Sequence, residues 1–360
     1  MQNNIYSVIK ATGSYIPEKI VHNSDFLSNV FYDSDGKIFE IPNDELIKKF
    51  EKITNISERR YLEEEYVTSD IAYIAADNAI KSSGIDPETI DYIIVAHNFG
   101  DVKAGNIRSD IVPSLAARVK NKLRIKNPDA VAYDIIFGCP GWLQGVIQAN
   151  YYIKSGDAKR VLVIGSEVLS RVSDPHDRDS MIYSDGAGAA IFEARESDVP
   201  VGILSHSARS DTFTDSNLLW MSKSYNPESS NTEIYLKMNG RKLYEYALSN
   251  VPKLVKNCIE KAKLTIDKVS KVLIHQANEK MDEAILQRLF ALYEKIKIPS
   301  GIMPMIIDKL GNSSVATIPI LLDLILKGKM ETQTLNQGDN VIFASVGAGM
   351  NVNAVAYKMA

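Results

Sequence analysis

The sequence has few cysteines, no long apolar run and no excess of positive charge. Its 360 residues include only two cysteines, far apart and without metal-ligand spacing, which fits a reducing compartment and gives no sign of a metal site. No apolar stretch reaches the roughly 20 residues of a membrane span, and the N-terminus lacks a secretory signal. The formal net charge of -4, without a dense Lys/Arg run, argues against nucleic-acid binding. We expect a cytoplasmic protein.

The stretch around Cys139 combines strand, turn and helix signals. Residues 132–137 form a short apolar run that predicts a buried strand, and apolar residues recur at helical spacing over 142–153. The turn between them places Cys139 at a helix start, where Pro140 is well tolerated. A helix N-terminus favours the thiolate, which is a nucleophile. The alternative is a small buried cysteine packed as a hydrophobe.

Predicted strands and helices alternate along the chain. In the first half the predicted strands are residues 5–11, 91–97, 160–166 and 190–192, and the predicted helices are 44–53, 69–83 and 112–123. Residues 31–43 resemble a surface loop because they are rich in turn formers. Such alternation predicts an α/β fold with mainly parallel sheets covered by helices.

The second half of the chain repeats the first. Residues 85–97 and 266–275 both end in a histidine after an apolar run, and the strand–turn–helix unit of Cys139 recurs around Asn312, nearly the same distance further on. We therefore expect two related halves, residues 1–196 and 197–360. A pseudo-twofold axis between them would bring Cys139, Asn312 and the strand-end residue His275 to a common cleft.

Four short motifs carry a resemblance to a known family. They are GCPGW around Cys139, HQAN at 275–278, LGNSS at 310–314 and VGAGM at 346–350. Together they resemble the ketoacyl-acyl carrier protein synthase III family, which has the thiolase fold, and the similarity runs nearly end to end. The resemblance implies a thiolase-like α/β fold with two pseudo-twofold related halves and a layered α-β-α-β-α core.

The resemblance also implies an acyltransferase that joins two acyl thioesters by Claisen condensation. Cys139 would be the acylated nucleophile, and the backbone N–H groups of Cys139 and Gly349 would form an oxyanion hole. His275 and Asn312 would bind the carbonyl of a malonyl- or ketoacyl-thioester and stabilise its enolate. These residue types suit the reaction, which needs a thiolate and a second oxyanion site. No resident cofactor is implied, because phosphopantetheine of acyl carrier protein or coenzyme A carries the substrates.

The predicted substrate entrance departs from the family pattern. The family holds the coenzyme A adenine between a Trp and an Arg, whereas Lys49 and Ile53 stand at these positions here, with Phe50 as a substitute stacking residue. Residues 31–42 are additional. Arg178 and Asn278 match family residues near the pantetheine entrance.

The resemblance implies a homodimer in which a loop of each subunit reaches the acyl pocket of the other. In the matching loop, residues 106–118, Val112 replaces a bulky aromatic residue of some relatives, which predicts a longer acyl channel. Lys280 and Arg288, on the helix after HQAN, would form a basic patch for an acyl carrier protein, although Glu245 opposes it. The commoner reading of such charges is an ordinary solvated helix face.

Three functions remain open at this level. The first is initiation of fatty acid synthesis from an acyl primer and a malonyl thioester. The second is specialised lipid or polyketide assembly, such as dialkylcyclohexanedione or dialkylresorcinol precursors. The third is a protein of the same fold that only transfers acyl groups or docks a carrier, and retention of Cys139, His275 and Asn312 argues against it. His97 ends a predicted strand at the same sheet edge and is a minor candidate for the site lining.

Overall fold

A computed structural model of the chain describes residues 4–106, 108–230 and 232–360. Ile107, in the loop predicted to reach a partner's acyl pocket, lies outside the described residues. The strands are β1 Ile5–Tyr15, β2 Lys19–His22, β3 Glu58–Tyr61, β4 Tyr92–Ala96, β5 Asp101–Val102, β6 Ser109–Asp110, β7 Val131–Ile135, β8 Arg160–Val168, β9 Asp185–Glu196, β10 Gly202–Ser210, β11 Leu219–Ser222, β12 Tyr235–Met238, β13 Val269–Ile274, β14 Asn340–Gly347 and β15 Asn351–Lys358. The α-helices are α1 Asn43–Thr54, α2 Thr68–Ser83, α3 Leu115–Lys122, α4 Gly141–Ser155, α5 Thr212–Asp215, α6 Gly240–Lys261, α7 Glu279–Ala291, α8 Ile307–Leu310 and α9 Thr317–Leu326.

Two sheets repeat one strand arrangement. The first has the order β1-β9-β8-β4-β7 and the second β10-β15-β14-β13. In both, the two strands at one side are antiparallel to their neighbours, as in β1 with β9 and β10 with β15, while β8 with β4 and β14 with β13 are parallel. The predicted repeat is confirmed. Most strands of each sheet run in one direction, as expected, but the sheets are mixed, because β9 in the first and β15 in the second run opposite to the other strands. Continuous apolar runs report that both faces of a strand are covered, not the direction of its neighbour.

Helices cover both faces of each sheet and give five layers. α4 and α9 lie between the sheets in one apolar cluster with residues of β8 and β14. α2 and α3 cover the outer face of the first sheet, and α6 and α7 that of the second. The Trp142 indole of α4 is buried between the sheets, where it donates to the Val163 carbonyl (3.2 Å) and meets the Phe343 ring edge-on (6.2 Å between centroids). This order confirms the α-β-α-β-α prediction.

Three predicted element boundaries are wrong. β1 continues through Gly13 to Tyr15, because that glycine allows α2 to pack closely: a Cβ there would lie 2.3 Å from the Ala75 carbonyl oxygen. The helix predicted from residue 112 begins at Leu115, since the Ser114 hydroxyl accepts from the Ala117 N–H (3.2 Å) as its N-cap. The strand predicted over residues 190–192 is longer in the structure, because the small residues before it, 185–189, also belong to β9. No helix in the described part of the chain is long and apolar enough to cross a membrane.

Candidate active site

A cavity of about 360 Å³ brings the three predicted catalytic side chains together. Cys139 lies in the turn between β7 and α4, His275 directly follows β13, and Asn312 lies between α8 and α9. Gly349, from the turn between β14 and β15, lines the same cavity. Because the contributing elements come from both halves of the chain, the cavity lies where the two repeats meet.

Glycine at position 138 fixes the position of the Cys139 turn. Its φ is +65°, a backbone angle that residues with a side chain rarely adopt, and a Cβ there would lie 2.6 Å from the Ala348 backbone nitrogen. A Cβ on Gly347 would similarly lie 2.5 Å from the backbone nitrogen of Cys139. The two turns that carry the predicted oxyanion-hole residues are therefore in close backbone contact.

The imidazole of His275 is neutral in the resting site. It is 4% exposed, and burial lowers its pKa to about 4, against a smaller opposing effect of the Ser314 backbone. The turn is fixed by buried Gln276, whose side chain donates to the Pro304 carbonyl and accepts from the Ile306 N–H, both at 2.9 Å. A neutral imidazole can donate an N–H hydrogen bond to an enolate oxygen without carrying an acidic proton into the site.

Asn312 is held by backbone bonds on both sides. Its N–H donates to the Ile182 carbonyl and its own carbonyl accepts from the Ser184 N–H, both at 2.9 Å. The side-chain oxygen Oδ1 accepts from the Ser314 N–H (2.8 Å). This bond occupies the oxygen end of the amide, so the Nδ2 group is left to donate to a substrate carbonyl.

The Cys139 thiol is protonated at rest, which differs from the expectation based on the helix N-terminus. Burial, reinforced by the negative charge of Glu167, raises its pKa to about 11, while the Ser314 hydroxyl works in the opposite direction. α4 starts two residues further on, at Gly141. Sequence spacing indicated the helix dipole but contained no measure of desolvation, which dominates in this cavity.

Sequence reasoning missed three polar residues behind the sulfur. The Ser314 hydroxyl lies 3.4 Å from Cys139 Sγ, and Asn98 Nδ2 lies 3.3 Å from Ser314 Oγ and 2.5 Å from Glu167 Oε2. The signal for Ser314 was the second serine of LGNSS. The signal for Glu167 was a carboxylate at the end of the apolar run 160–166, since a glutamate in a buried strand is unusual.

A larger cavity of about 1000 Å³ adjoins the first and shares Asn312 and Trp220 with it. Phe50, Arg178 and Asn278, all predicted to contact substrate, line this cavity. The Arg178 guanidinium lies 5.2 Å from the ring of Phe39 in the additional segment. The Asn278 side chain also caps α7, and Phe50 is only 8% exposed, so little of its ring faces the cavity.

The other predicted residues lie away from the acyl cavity. Val112 is 82% exposed and lies outside both cavities of its own chain. Lys280 is exposed in the first turn of α7, whereas the Arg288 guanidinium donates to the Leu248 carbonyl (3.2 Å). Glu245 lines the entrance cavity and pairs with Arg241 (3.1 Å).

His97 lies behind the cavity and does not line it. Its Nε2 is 3.0 Å from an oxygen of Asp134, and its Nδ1 accepts from the Gly100 N–H (3.0 Å). Within the described residues, no group of three His, Cys, Asp or Glu side chains could hold a metal ion.

Family models match both halves of the site. The model described as 3-oxoacyl-[acyl-carrier-protein (ACP)] synthase III matches residues 133–212, which include Cys139, and its C-terminal counterpart matches residues 259–359, which include His275 and Asn312.

Individual proteins match nearly the whole chain. The β-ketoacyl-[acyl-carrier-protein] synthase III of Staphylococcus aureus (strain JH1) is 33% identical over 353 residues, covering 97% of this chain and 98% of that protein. The synthase III structure from Thermus thermophilus has a TM-score of 0.81 at 29% identity, covering 98% of this chain and 99% of that one. The priming β-ketosynthase of the R1128 polyketide pathway also has a TM-score of 0.81, at 25% identity, covering 98% and 96%.

Proposed function

The chain belongs to the 3-oxoacyl-[acyl-carrier-protein] synthase III family and is an acyltransferase of the condensing kind, and we propose that Cys139, His275 and Asn312 carry out its two half-reactions. The observation that carries this assignment is the convergence of a thiol, a neutral imidazole and an amide on one cavity. The proposal names no resident cofactor, because the substrates bring their own phosphopantetheine.

The first half-reaction loads an acyl group onto Cys139. The sulfur attacks the carbonyl carbon of an acyl thioester, and the pantetheine thiolate leaves. Negative charge on the carbonyl oxygen is stabilised by the backbone N–H groups of Cys139 and Gly349. Donors held rigidly before the reaction starts are effective because no reorganisation is needed as charge develops.

The second half-reaction forms the carbon–carbon bond. A malonyl thioester enters, and its thioester carbonyl accepts hydrogen bonds from His275 and Asn312. Loss of carbon dioxide leaves an enolate, whose carbon attacks the acyl group on Cys139 and releases Cys139 as the thiolate. The depressed pKa of His275 suits this step, because a protonated imidazole would transfer a proton to the carbanion and quench it.

Acyl carrier protein delivers at least one substrate in this proposal, and acyl-coenzyme A is the other donor. The proposed route for a pantetheine arm is the entrance cavity, which Arg178 and Asn278 line. Lys49 and Ile53 replace an adenine clamp, and Phe50 is mostly covered. A carrier helix needs only a charged surface outside the entrance, and exposed Lys280 supplies one positive group there.

The proposal includes a homodimer in the cytoplasm. β7 is an edge strand of the first sheet, and Ile111, Val112 and Ile136 near it are 49%, 82% and 65% exposed. Ile136 also lines the acyl cavity, so a second copy covering this surface would complete its wall. The low cysteine content, two in 360 residues, supports a reducing compartment.

Specialised polyketide or lipid assembly is the second candidate, within the same reaction class. The match to a polyketide priming ketosynthase favours it, as does the additional segment 31–42, whose Tyr32, Asp33 and Phe39 line the entrance cavity.

Mass spectrometry combined with a condensation assay tests the assignment. Cys258, the other cysteine of the chain, is buried on α6 and serves as the control. Wild type and Cys258→Ser should each gain one acyl group from a panel of acyl thioesters, whereas Cys139→Ser should gain none. His275→Ala and Asn312→Ala should still be acylated but lose condensation by about 100- to 1000-fold, the usual effect of removing one oxyanion donor.

Three results would contradict parts of this proposal. Equal labelling of wild type and Cys139→Ser would show that Cys139 is not the acylated nucleophile. A condensation rate within a few-fold of wild type in His275→Ala or Asn312→Ala would show that the substituted residue does not stabilise the enolate. Stable acylation of wild type without product from any malonyl or ketoacyl thioester would favour an enzyme that only transfers acyl groups.

A further inference from the structure

Three side chains behind Cys139 form a hydrogen-bonded chain that ends at a buried carboxyl group. Ser314 Oγ is 3.4 Å from Cys139 Sγ. The Asn98 amide bridges Ser314 Oγ (3.3 Å) and Glu167 Oε2 (2.5 Å), and the Asn98 backbone N–H reaches Glu167 Oε1 (3.2 Å). Glu167 is fully buried. A buried carboxyl group with this connection to a nucleophile needs an explanation beyond packing.

The Ser314 hydroxyl can point in two directions. Because Asn98 Nδ2 donates to its oxygen, the hydroxyl hydrogen remains available for one acceptor. In one orientation it donates to Cys139 Sγ, and in the other it donates to Glu167, a bond that favours the carboxylate. The first orientation suits a Cys139 thiolate with Glu167 protonated, and the second suits a Cys139 thiol with a Glu167 carboxylate. Rotation of one hydroxyl therefore connects the two protonation states.

Burial brings the carboxyl group into the range where it can exchange protons near neutral pH. It raises the pKa of Glu167 from 4.5 to about 7, and a charged His97 would oppose the shift. Cys139 also faces Glu167, and the Glu167 charge contributes to the raised pKa of its thiol. When a proton moves from the thiol to Glu167, that repulsion disappears.

We propose that Ser314 relays the Cys139 proton to Glu167 while the sulfur attacks the first acyl thioester, an inference that rests on the proposed function. The S–H bond of Cys139 breaks as Sγ bonds to the acyl carbon. Ser314 Oγ takes this proton and passes its own hydroxyl proton to Glu167. As the carbon–sulfur bond of the donor breaks, the relay runs backwards and protonates the departing thiolate. Ser314 touches the reacting sulfur, whereas Glu167 acts through it.

Two reactions of the same thiol separate a relay from a structural role. Single-turnover acylation by a generic thioester, such as an acyl-N-acetylcysteamine, requires the proton to leave during attack. Alkylation by iodoacetamide reports thiolate availability. Both rates at Cys139 would be measured between pH 6 and 9 for wild type, Glu167→Gln, Ser314→Ala and Ser314→Gly. The glycine variant suits the φ of +52° at this position. Ser313→Ala is the matched control, because that buried hydroxyl contacts Thr317 Oγ1 (3.3 Å) instead.

The relay predicts that Glu167→Gln slows acylation of Cys139 without slowing its alkylation. At pH 7.5 acylation should fall by about 100-fold, within the usual range for general acid–base catalysis. Alkylation should stay equal or rise, because a charge that raises the thiol pKa is gone. Both Ser314 variants should show the same acylation defect, and Ser313→Ala should match wild type.

Unchanged or faster acylation in Glu167→Gln would overturn the relay. Equal losses of the acylation and alkylation rates would also overturn it, because they would indicate a distorted site. Wild type that is alkylated but never acylated by any thioester would overturn the proposed function together with the relay.

Discussion

Replacing Glu167 with glutamine should change the pH dependence of stability in a calculable way. The side chain is fully buried, and its pKa rises from 4.5 to about 7 in the folded protein. One pKa unit corresponds to about 1.36 kcal/mol, so the charged form should cost the folded state about 3 kcal/mol. Glutamine has nearly the same shape but cannot ionise, so the variant avoids this cost.

The direction of the effect follows from proton binding. Below about pH 4.5 the carboxyl group is protonated in both states and contributes no pH dependence. Between pH 4.5 and 7 the folded protein keeps a proton that the unfolded chain releases, so wild-type stability falls as pH rises. Above about pH 7 the group is charged in both states, and the full cost is present.

Urea denaturation of wild type and Glu167→Gln at pH 5 and pH 8 measures this difference. From pH 5 to pH 8 the free energy of unfolding of the variant, relative to wild type, should rise by about 2 to 3 kcal/mol. Exposed Glu40→Gln is the control and should track wild type at both pH values. A constant difference between wild type and Glu167→Gln across this range would refute the assignment of a proton-binding buried carboxyl.

Two further predictions concern substrates. Val112→Phe should shift acylation toward short acyl chains, because a larger side chain would narrow the pocket of the partner subunit; an unchanged chain-length profile in the mass-spectrometric assay would remove this residue from the pocket. Lys280→Glu should lower the rate with carrier-borne acyl groups but leave coenzyme A substrates unaffected, and the carrier's advantage in wild type should shrink as salt screens the contact. A preference of wild type for coenzyme A at low and high salt would contradict carrier delivery.

The sequence predicted the layered fold and the meeting of Cys139, His275 and Asn312, because both depend on a repeated pattern of strands, turns and helices. Strand direction was not predictable in this way: the apolar run of β8 is buried whether its neighbour is parallel, like β4, or antiparallel, like β9. The strand predicted over residues 5–11 stopped short of Gly13 for a related reason. Gly13 lets α2 pack closely against β1, and such a contact between distant segments leaves no pattern in the local sequence.

Protonation states were the least predictable part of the site. Spacing placed Cys139 at a helix start, where the dipole favours a thiolate. Burial depends on every element that closes the cavity, and it raises the thiol pKa to about 11. The partner group Glu167 lies on β8 and reaches the sulfur through Ser314, from the other half of the chain. No local pattern contains that connection.

Burial also divides the chemical roles within the acyl cavity. It lowers the pKa of His275 to about 4 and raises that of Cys139 to about 11, so neither group changes protonation between pH 6 and 8. Glu167 is held at about 7 and does change in this range. The imidazole can therefore stabilise an enolate as a neutral donor throughout, while the thiol must lose its proton to another group before it can react. In the proposed mechanism, the burial that keeps the imidazole neutral also keeps the thiol protonated, so the nucleophile needs a base within reach, the role we assign to Glu167.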